Sequence, residues 1–90
     1  MPNLDLSRKS VKFLEGLPAK QFRQISLVLI GLTREPFPAD ARPLKGHDPY
    51  HRIDVGEYRV IYRLEDDTAK IALIGKRNDD AVYREFRRHR

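Results

Sequence analysis

The stretch from Tyr50 to Leu64 places an apolar residue at nearly every second position, which is the spacing of β-strands with one buried face. Gly56-Glu57 lies in the middle of it, and glycine in the first central position suits the type II′ turn of a two-residue β-hairpin. A turn at that point fixes the register of the two strands, and with it the face on which each side chain lies. The pairs predicted in this way are Val55 with Tyr58, Asp54 with Arg59, and Arg52 with Ile61.

The predicted hairpin has two chemically different faces. The apolar face comprises Ile53, Val55, Tyr58, Val60, Tyr62 and Leu64. The opposite face, which we call the cationic face, comprises Arg52, Asp54, Arg59 and Arg63. An antiparallel sheet of this kind packs its apolar side on the core and leaves the other side in water. The pattern therefore predicts helices on one side of the sheet and a charged surface on the other.

Two helices are predicted before the hairpin. Ser7 can cap a first helix that ends at Gly16-Leu17-Pro18, and Pro18 suits the first turn of a second helix. The apolar residues at helical spacing are Val11, Phe13, Leu14 and Leu17 in the first helix and Phe22, Ile25, Val28, Leu29 and Leu32 in the second. Three prolines then exclude regular helix, so Glu35 to Asp48 is predicted to be a loop.

Further elements are predicted at the two ends of the chain. Asn3 to Leu6 alternates as a short strand does, and Ala69 to Gly75 is apolar enough for an inner strand after a turn at Asp66-Asp67. Asp79 or Asp80 can cap a final helix, whose apolar residues are Val82, Tyr83 and Phe86. The order is β-α-α-β-β-β-α. It predicts one α+β domain over residues 1–90, with an antiparallel sheet, an N-terminal αα-hairpin and a C-terminal helix.

The charge and composition of the chain limit the classes of partner and of chemical site that it can have. Lys and Arg number 18 against 13 Asp and Glu, so the net charge is +5 and the isoelectric point is near 9.8, which indicates a polyanionic partner. The absence of cysteine excludes a thiolate nucleophile, a disulfide and a Cys-based zinc site. The longest apolar run, Leu27 to Ile30, is too short to span a bilayer. We therefore expect a cytoplasmic protein without a membrane partner.

Among the residue types of this chain, arginine gives the strongest indication of a binding or catalytic site. The residues expected to converge on the cationic face are Arg52, Arg59 and Arg77, with Lys76 and Arg63 near them. Guanidinium groups bind phosphate bidentately and can stabilise the charge of a phosphoryl transition state. The alternative is a solvated strand face with local ion pairs, of which Asp54–Arg59 is the obvious one.

Tyrosine and histidine provide fewer candidates for catalytic or metal-binding residues. Tyr83 could act as a base if neighbouring cations favoured its phenolate, or it could pack the final helix onto the sheet. His47 and His51 are four residues apart, but Pro49 between them excludes a helix and no third ligand is nearby, so no metal site is predicted. His51 alternates onto the apolar face and is a minor candidate for the site.

Taken together, the motifs resemble a known family. The hairpin from Tyr50 to Leu64, with its strand Tyr58-Arg59-Val60-Ile61-Tyr62, is followed by Gly75-Lys76-Arg77 and then by Val82-Tyr83. In this order, over nearly the whole chain, they resemble the RelE/ParE superfamily of bacterial and archaeal toxins. RelE-type members are messenger RNA interferases that cut the message in the ribosomal A site, whereas ParE-type members poison DNA gyrase. Members of both types are held by an antitoxin.

The resemblance implies roles for individual residues. It makes Arg59 the arginine that contacts the scissile phosphate, Arg77 the one that stabilises or protonates the leaving oxygen, and Tyr83 the base on the 2′-hydroxyl. The RNA-binding residues that we expect beside them are Arg52, Arg63, Lys45, Lys76 and Arg84. Two features depart from the family pattern. Arg52 and Tyr50 stand where RelE-type enzymes often carry lysines, and Asp54 stands where relatives often carry a base.

The pair Arg77 and Tyr83 favours the RelE branch, because the gyrase poisons generally lack it. The resemblance then implies a metal-independent endoribonuclease, without cofactor, in which a ribose 2′-oxygen attacks the adjacent phosphate. Its expected partners are a cognate antitoxin, the ribosome with its small-subunit rRNA, and mRNA; operator DNA is reached only through the antitoxin. The alternatives are a ParE-like gyrase poison and a non-catalytic nucleic-acid-binding or co-repressor module, because basic surface alone can bind phosphate without reaction.

Overall fold

The structure, a computed structural model, describes residues 3–77, 84 and 86–87, and within residues 3–77 the chain forms two helices and one five-stranded mixed sheet. The helices are α1 (Arg8–Glu15) and α2 (Ala19–Arg34). The strands are β1 (Asn3–Leu6), β2 (Arg42–Pro43), β3 (His51–Val55), β4 (Tyr58–Glu65) and β5 (Thr68–Lys76). They lie in the order β1-β5-β4-β3-β2, with β1 parallel to β5 and the other neighbours antiparallel. The predicted α+β fold is confirmed, but the sheet is mixed and not antiparallel as predicted, because β1 runs parallel to β5.

The hairpin of β3 and β4 has the predicted register. Gly56 has a φ of +59°, which the first central position of a type II′ turn requires and which glycine adopts without strain. The three predicted pairs are confirmed, namely Val55 with Tyr58, Asp54 with Arg59, and Arg52 with Ile61. At the next turn Asp66 and Asp67 both have positive φ, as in a type I′ turn, and they join β4 to β5.

The apolar face of the sheet packs against both helices. The buried residues of this main core are Leu14, Ile25, Leu29, Leu32, Ile53, Val55, Tyr58, Val60, Tyr62, Ala69, Ile71 and Ile74. Leu64, predicted on the same face, is half-buried near the end of β4. Tyr62 is fully buried, and its hydroxyl donates to the carbonyl of Pro36 at 2.5 Å. Burial raises the pKa of this phenol to about 12, with a smaller contribution from the charge of Asp40.

Ser7 attaches α1 to the middle of the sheet. Its Oγ accepts a hydrogen bond from the backbone N–H of Ser10 at 3.1 Å, which is the predicted N-cap, and donates to the carbonyl of Ala72 at 2.6 Å. Its backbone N–H also donates to the carbonyl of Ile71 at 3.0 Å. One residue therefore begins the helix and fixes it to β5.

One segment differs from the sequence prediction, and a second, the predicted final helix, is only partly described by the structure. Arg42–Pro43, predicted to be part of a loop, form the edge strand β2 opposite β3. Proline is tolerated in an edge strand because its missing N–H faces away from the ladder, and two residues are too few to show an alternation. In the predicted final helix, Arg84, Phe86 and Arg87 are helical. Tyr83 lies outside the described residues.

Candidate active site

Strand register and the end of β5 bring arginines together at one end of the cationic face. Arg59 on β4 lies between Asp54 on β3 and Gly75 on β5. Arg77 follows β5 directly. Its backbone N–H donates to the carbonyl of Glu57 at 3.0 Å, which holds it beside the β3–β4 turn.

The carboxylate of Asp54 is the common partner of three arginines. Nε and Nη2 of Arg59 donate to Oδ1 and Oδ2 of Asp54 at 2.6 and 3.1 Å, which is a bidentate pair. The Nη1 atoms of Arg77 and Arg52 lie 3.6 and 3.9 Å from Oδ2. We call these four residues the Asp54 cluster. Three cations around one anion leave it with a net charge of two positive units, which suits it to anions.

The arginines of the Asp54 cluster differ in how firmly they are held. The Arg59 side chain is 15% exposed and has both oxygens of the carboxylate as partners. The Arg77 side chain is 50% exposed and makes the longer contact. Arg59 is therefore a fixed cation on the sheet, whereas Arg77 stands in water at its edge, where an incoming phosphate can reach it.

The same contacts govern the ionisation of Asp54. The hydrogen bond from Arg59 lowers the pKa of the carboxyl below its usual 3.8, and the charges of Arg59, Arg52 and Arg77 lower it further. Desolvation raises the pKa and opposes these effects without reversing them. Asp54 is therefore ionised throughout the physiological pH range.

The lowered pKa of Asp54 predicts a loss of stability in acid. Because the folded pKa lies below the unfolded one, the stabilisation is fully present above the unfolded value, about pH 4, and is lost as the pH falls through the folded value. Asp54→Asn should therefore flatten the decline in the free energy of unfolding below about pH 4, measured by urea denaturation at a series of pH values. Parallel profiles for the variant and the wild type would contradict this expectation.

Arg63 lies at the opposite end of the cationic face. It is four residues from Arg59 on the same strand, which is about 13 Å at 3.3 Å per residue. It pairs with Glu65, which also lies 3.5 Å from Lys70, and its guanidinium lies 5.8 Å from the centre of the Tyr50 ring. The charges of Arg63 and Lys70 lower the pKa of Glu65. The structure does not bring Arg63 into the Asp54 cluster, because the rise of the strand separates residues that share a face.

A small apolar cluster lies on this face between the two ends. It comprises Leu44, Ile61, Leu73 and Phe86, with Tyr50 and Ala72 half-buried against it. A β-bulge creates it: Ile61 faces Leu73 but Tyr62 faces Ile71, so Ala72 is the extra residue of β5. The bulge turns Ile71 into the main core and Leu73 to the opposite face. This cluster was not predicted from the sequence, although Ile61 is a signal for it, because the predicted register places that apolar residue among the arginines.

Two predicted RNA-binding residues lie beside this apolar cluster in the sequence. Lys45 is exposed and follows Leu44, and Arg84 is exposed two residues before Phe86. The backbone N–H of Leu44 donates to the carbonyl of Tyr50 at 2.8 Å, which closes the loop that carries Lys45. Leu44 and Phe86 thus anchor two cationic segments to the cationic face.

Two other predicted residues lie on the opposite side of the sheet from Asp54. Lys76 is paired with Tyr58, so it shares the apolar face, at its exposed end. His51 is paired with Tyr62, and its ring lies 4.6 Å from that of Phe37. Neither residue is part of the Asp54 cluster.

Within the described ranges, no three His, Cys, Asp or Glu side chains come together in a way that could hold a metal ion. Over the same ranges, none of the helices combines the length and the apolar character needed to cross a membrane.

Solved structures share this fold, although the chain matches no family model and no curated protein. In the archaeal RelE-RelB complex from Pyrococcus horikoshii OT3, the matched chain is 28% identical to this one, with a TM-score of 0.76 over 86% of this chain and 96% of that one. The isolated E. coli RelE toxin has a TM-score of 0.75 and 21% identity, covering 98% of this chain and 97% of that one. The RelB-RelE antitoxin-toxin complex from Methanococcus jannaschii has a TM-score of 0.71 and 24% identity, covering 91% and 98%.

Proposed function

This chain belongs to the RelE-like toxin superfamily, and from that premise we propose that it is the toxin of a type II toxin-antitoxin pair and cleaves messenger RNA on the ribosome, in the cytoplasm. The observation that carries the proposal is the Asp54 cluster. It combines a fixed Arg59 with an exposed Arg77 on a scaffold that the RelE toxins share. A phosphate of the RNA backbone is the anion that best fits several guanidinium groups on an open sheet face.

The proposed reaction is an internal displacement. The ribose 2′-oxygen attacks the adjacent phosphorus, the bond from phosphorus to the 5′-oxygen breaks, and the products are a cyclic phosphate and a 5′-hydroxyl. Arg59 and Arg77 stabilise the charge that develops on the phosphoryl oxygens, and Arg77 stabilises or protonates the leaving oxygen. Tyr83, assigned from the family resemblance alone, takes the proton from the 2′-hydroxyl as a phenolate and becomes a neutral phenol.

The ribosome has a part in this proposal because the site is open. In-line alignment of the 2′-oxygen with the leaving oxygen contributes several kcal/mol to such a reaction. A sheet face on which Arg77 is 50% exposed does not enclose a flexible strand of RNA. We therefore assign much of the alignment to the ribosomal A site and expect little cleavage of free RNA.

Primer extension on a message in a purified translation mixture tests the function. We expect cuts within codons that appear only when ribosomes are present. Rapid, site-selective cleavage of free RNA would contradict the role of the ribosome. An intact message under active translation would contradict the ribonuclease, and broken DNA in the presence of gyrase would then support the ParE-like alternative.

An antitoxin partner is the second part of the proposal. RelE toxins are seen bound to RelB in the Pyrococcus horikoshii and Methanococcus jannaschii complexes. The net charge of +5 and the cationic Asp54 cluster favour an acidic segment that folds on binding.

Co-purification tests the antitoxin. The tagged chain, produced together with the product of the neighbouring gene, should retain that product in stoichiometric amount, and raising the salt concentration should weaken the complex. Recovery of the chain alone at low salt would contradict this prediction.

A further inference from the structure

The Asp54 cluster contains its own anion. The carboxylate of Asp54 holds Arg59 through two hydrogen bonds and lies 3.6 and 3.9 Å from the nearest nitrogens of Arg77 and Arg52. A phosphate that binds to these three guanidinium groups must approach the same donors. Asp54 therefore competes with every anion that enters, and its lowered pKa keeps the competitor charged.

Without that carboxylate, the three arginines would form a general phosphate site. Guanidinium groups bind any phosphate oxygen, and phosphate groups with two charges bind more strongly than those with one. Inorganic phosphate and terminal phosphates of nucleotides carry about 1.5 to 2 negative charges at neutral pH, as phosphomonoesters do, whereas an internal RNA linkage carries one. Bare arginines would thus favour the wrong ligands over the RNA backbone.

We propose that Asp54 is a specificity-determining residue, whose carboxylate weakens the binding of doubly charged phosphates to Arg52, Arg59 and Arg77 more than it weakens the binding of the singly charged linkages of an RNA backbone. This inference deepens the proposed function and rests on it for the identity of the ligand. The repulsion by Asp54 grows with the charge of the incoming phosphate, so it acts about twice as strongly on a dianion as on a diester. An RNA strand has a second advantage, because its other phosphates can reach cations outside the cluster, such as Lys45 and Arg84.

Binding measurements on Asp54→Asn test this inference. The amide keeps the size of the side chain and one acceptor for Arg59, but removes the charge. We expect the Kd for inorganic phosphate to fall about tenfold and the Kd for a short 2′-O-methyl oligonucleotide, which cannot be cut, to fall about threefold. Both ligands are titrated calorimetrically into wild type and variant at one ionic strength, and urea denaturation at neutral pH verifies that the variant is folded.

Glu15→Gln is the matched control. It removes the same unit of charge from the exposed end of α1, which packs against the other face of the sheet. It should change both Kd values by less than about twofold, because separated surface charges are screened by salt. Equal effects of the two substitutions would overturn the proposal, since only the net charge would then matter.

Two further outcomes would also overturn it. Weaker binding of both ligands to Asp54→Asn would make Asp54 a positioning residue for Arg59, and equal tightening of both would remove the selectivity. None of these measurements uses cleavage. A chain that leaves the message intact but shows the expected shifts would refute only the ribonuclease, whereas an active ribonuclease without the shifts would refute only the role of Asp54.

Discussion

Alanine in place of Arg77 is expected to lower the rate of message cleavage by about 10²- to 10³-fold, the usual effect of removing one donor that stabilises developing charge. The fold should tolerate the change. The Arg77 side chain is 50% exposed, and the bidentate pair of Arg59 with Asp54 remains after its removal. We therefore expect the free energy of unfolding to change by less than about 0.5 kcal/mol, as for most surface substitutions.

Lys76→Ala is the matched comparison for this prediction. The two residues are adjacent, exposed and cationic, but Lys76 pairs with Tyr58 and so lies on the opposite face of the sheet. Its removal should weaken cleavage only a few-fold through the loss of general attraction to RNA. Single-turnover rates of cleavage in the translation mixture distinguish the two variants. Equal losses would mean that position on the sheet does not matter and would count against the Asp54 cluster as the active site.

Tyr83→Phe completes this experiment. The substitution removes only the phenolic oxygen, and loss of a general base lowers a rate by about 10²- to 10⁴-fold. Cleavage at the wild-type rate would assign Tyr83 to packing, which is the alternative that the sequence left open.

The largest expected effect on stability comes from the apolar cluster on the cationic face. Ile61→Ala should lower the free energy of unfolding by about 2 to 5 kcal/mol, the usual range for removing a buried isoleucine side chain down to its Cβ. Ile61 is fully buried and packs in the cluster that contains Leu44, Leu73 and Phe86. A loss of this size is a substantial part of the total stability of an ordinary domain, which is about 5 to 15 kcal/mol.

Ile53→Ala serves as the control for Ile61→Ala. Ile53 is 3% exposed and belongs to the main core between the sheet and the helices. Both variants should lose similar stability in urea denaturation. Only Ile61→Ala should in addition weaken RNA binding under conditions where both are folded, because Leu44 and Phe86 anchor the segments that carry Lys45 and Arg84. A cost below about 1 kcal/mol for Ile61→Ala would contradict the packing of this cluster.

The hairpin register was predictable because it depends on neighbouring residues. Gly56 determines the turn, and the turn determines that Asp54 faces Arg59. The cap at Ser7 and the turn at Asp66-Asp67 are local in the same sense. The resemblance to the toxin superfamily could be stated from the sequence because its motifs lie in these locally determined segments.

The remaining features depend on contacts between distant residues. Arg63 shares a face with Arg59, but only the length of the strand shows that the two are too far apart to act together. The bulge at Ala72 is determined by pairing between β4 and β5, and it moves Leu73 beneath Phe86 without any change in the apolar pattern. The contacts of Asp54 with three arginines likewise depend on distant residues, because the end of β5 must lie beside the β3–β4 turn for Arg77 to reach the carboxylate.

The strand order has a consequence for how the protein is made. Of the described strands, β5 is synthesised last, yet it pairs with β1, where Asn3 lies opposite Thr68, and its Ala72 carbonyl accepts a hydrogen bond from the hydroxyl of Ser7. A chain emerging from the ribosome therefore holds its helices and its first hairpin without the strand that joins them, and folding must wait for contacts of long sequence separation. Arg77, which follows that strand, is among the last described residues to emerge. The Asp54 cluster therefore assembles only after β5 has been synthesised and has paired with β4, so this charge arrangement forms late among the described parts of the fold.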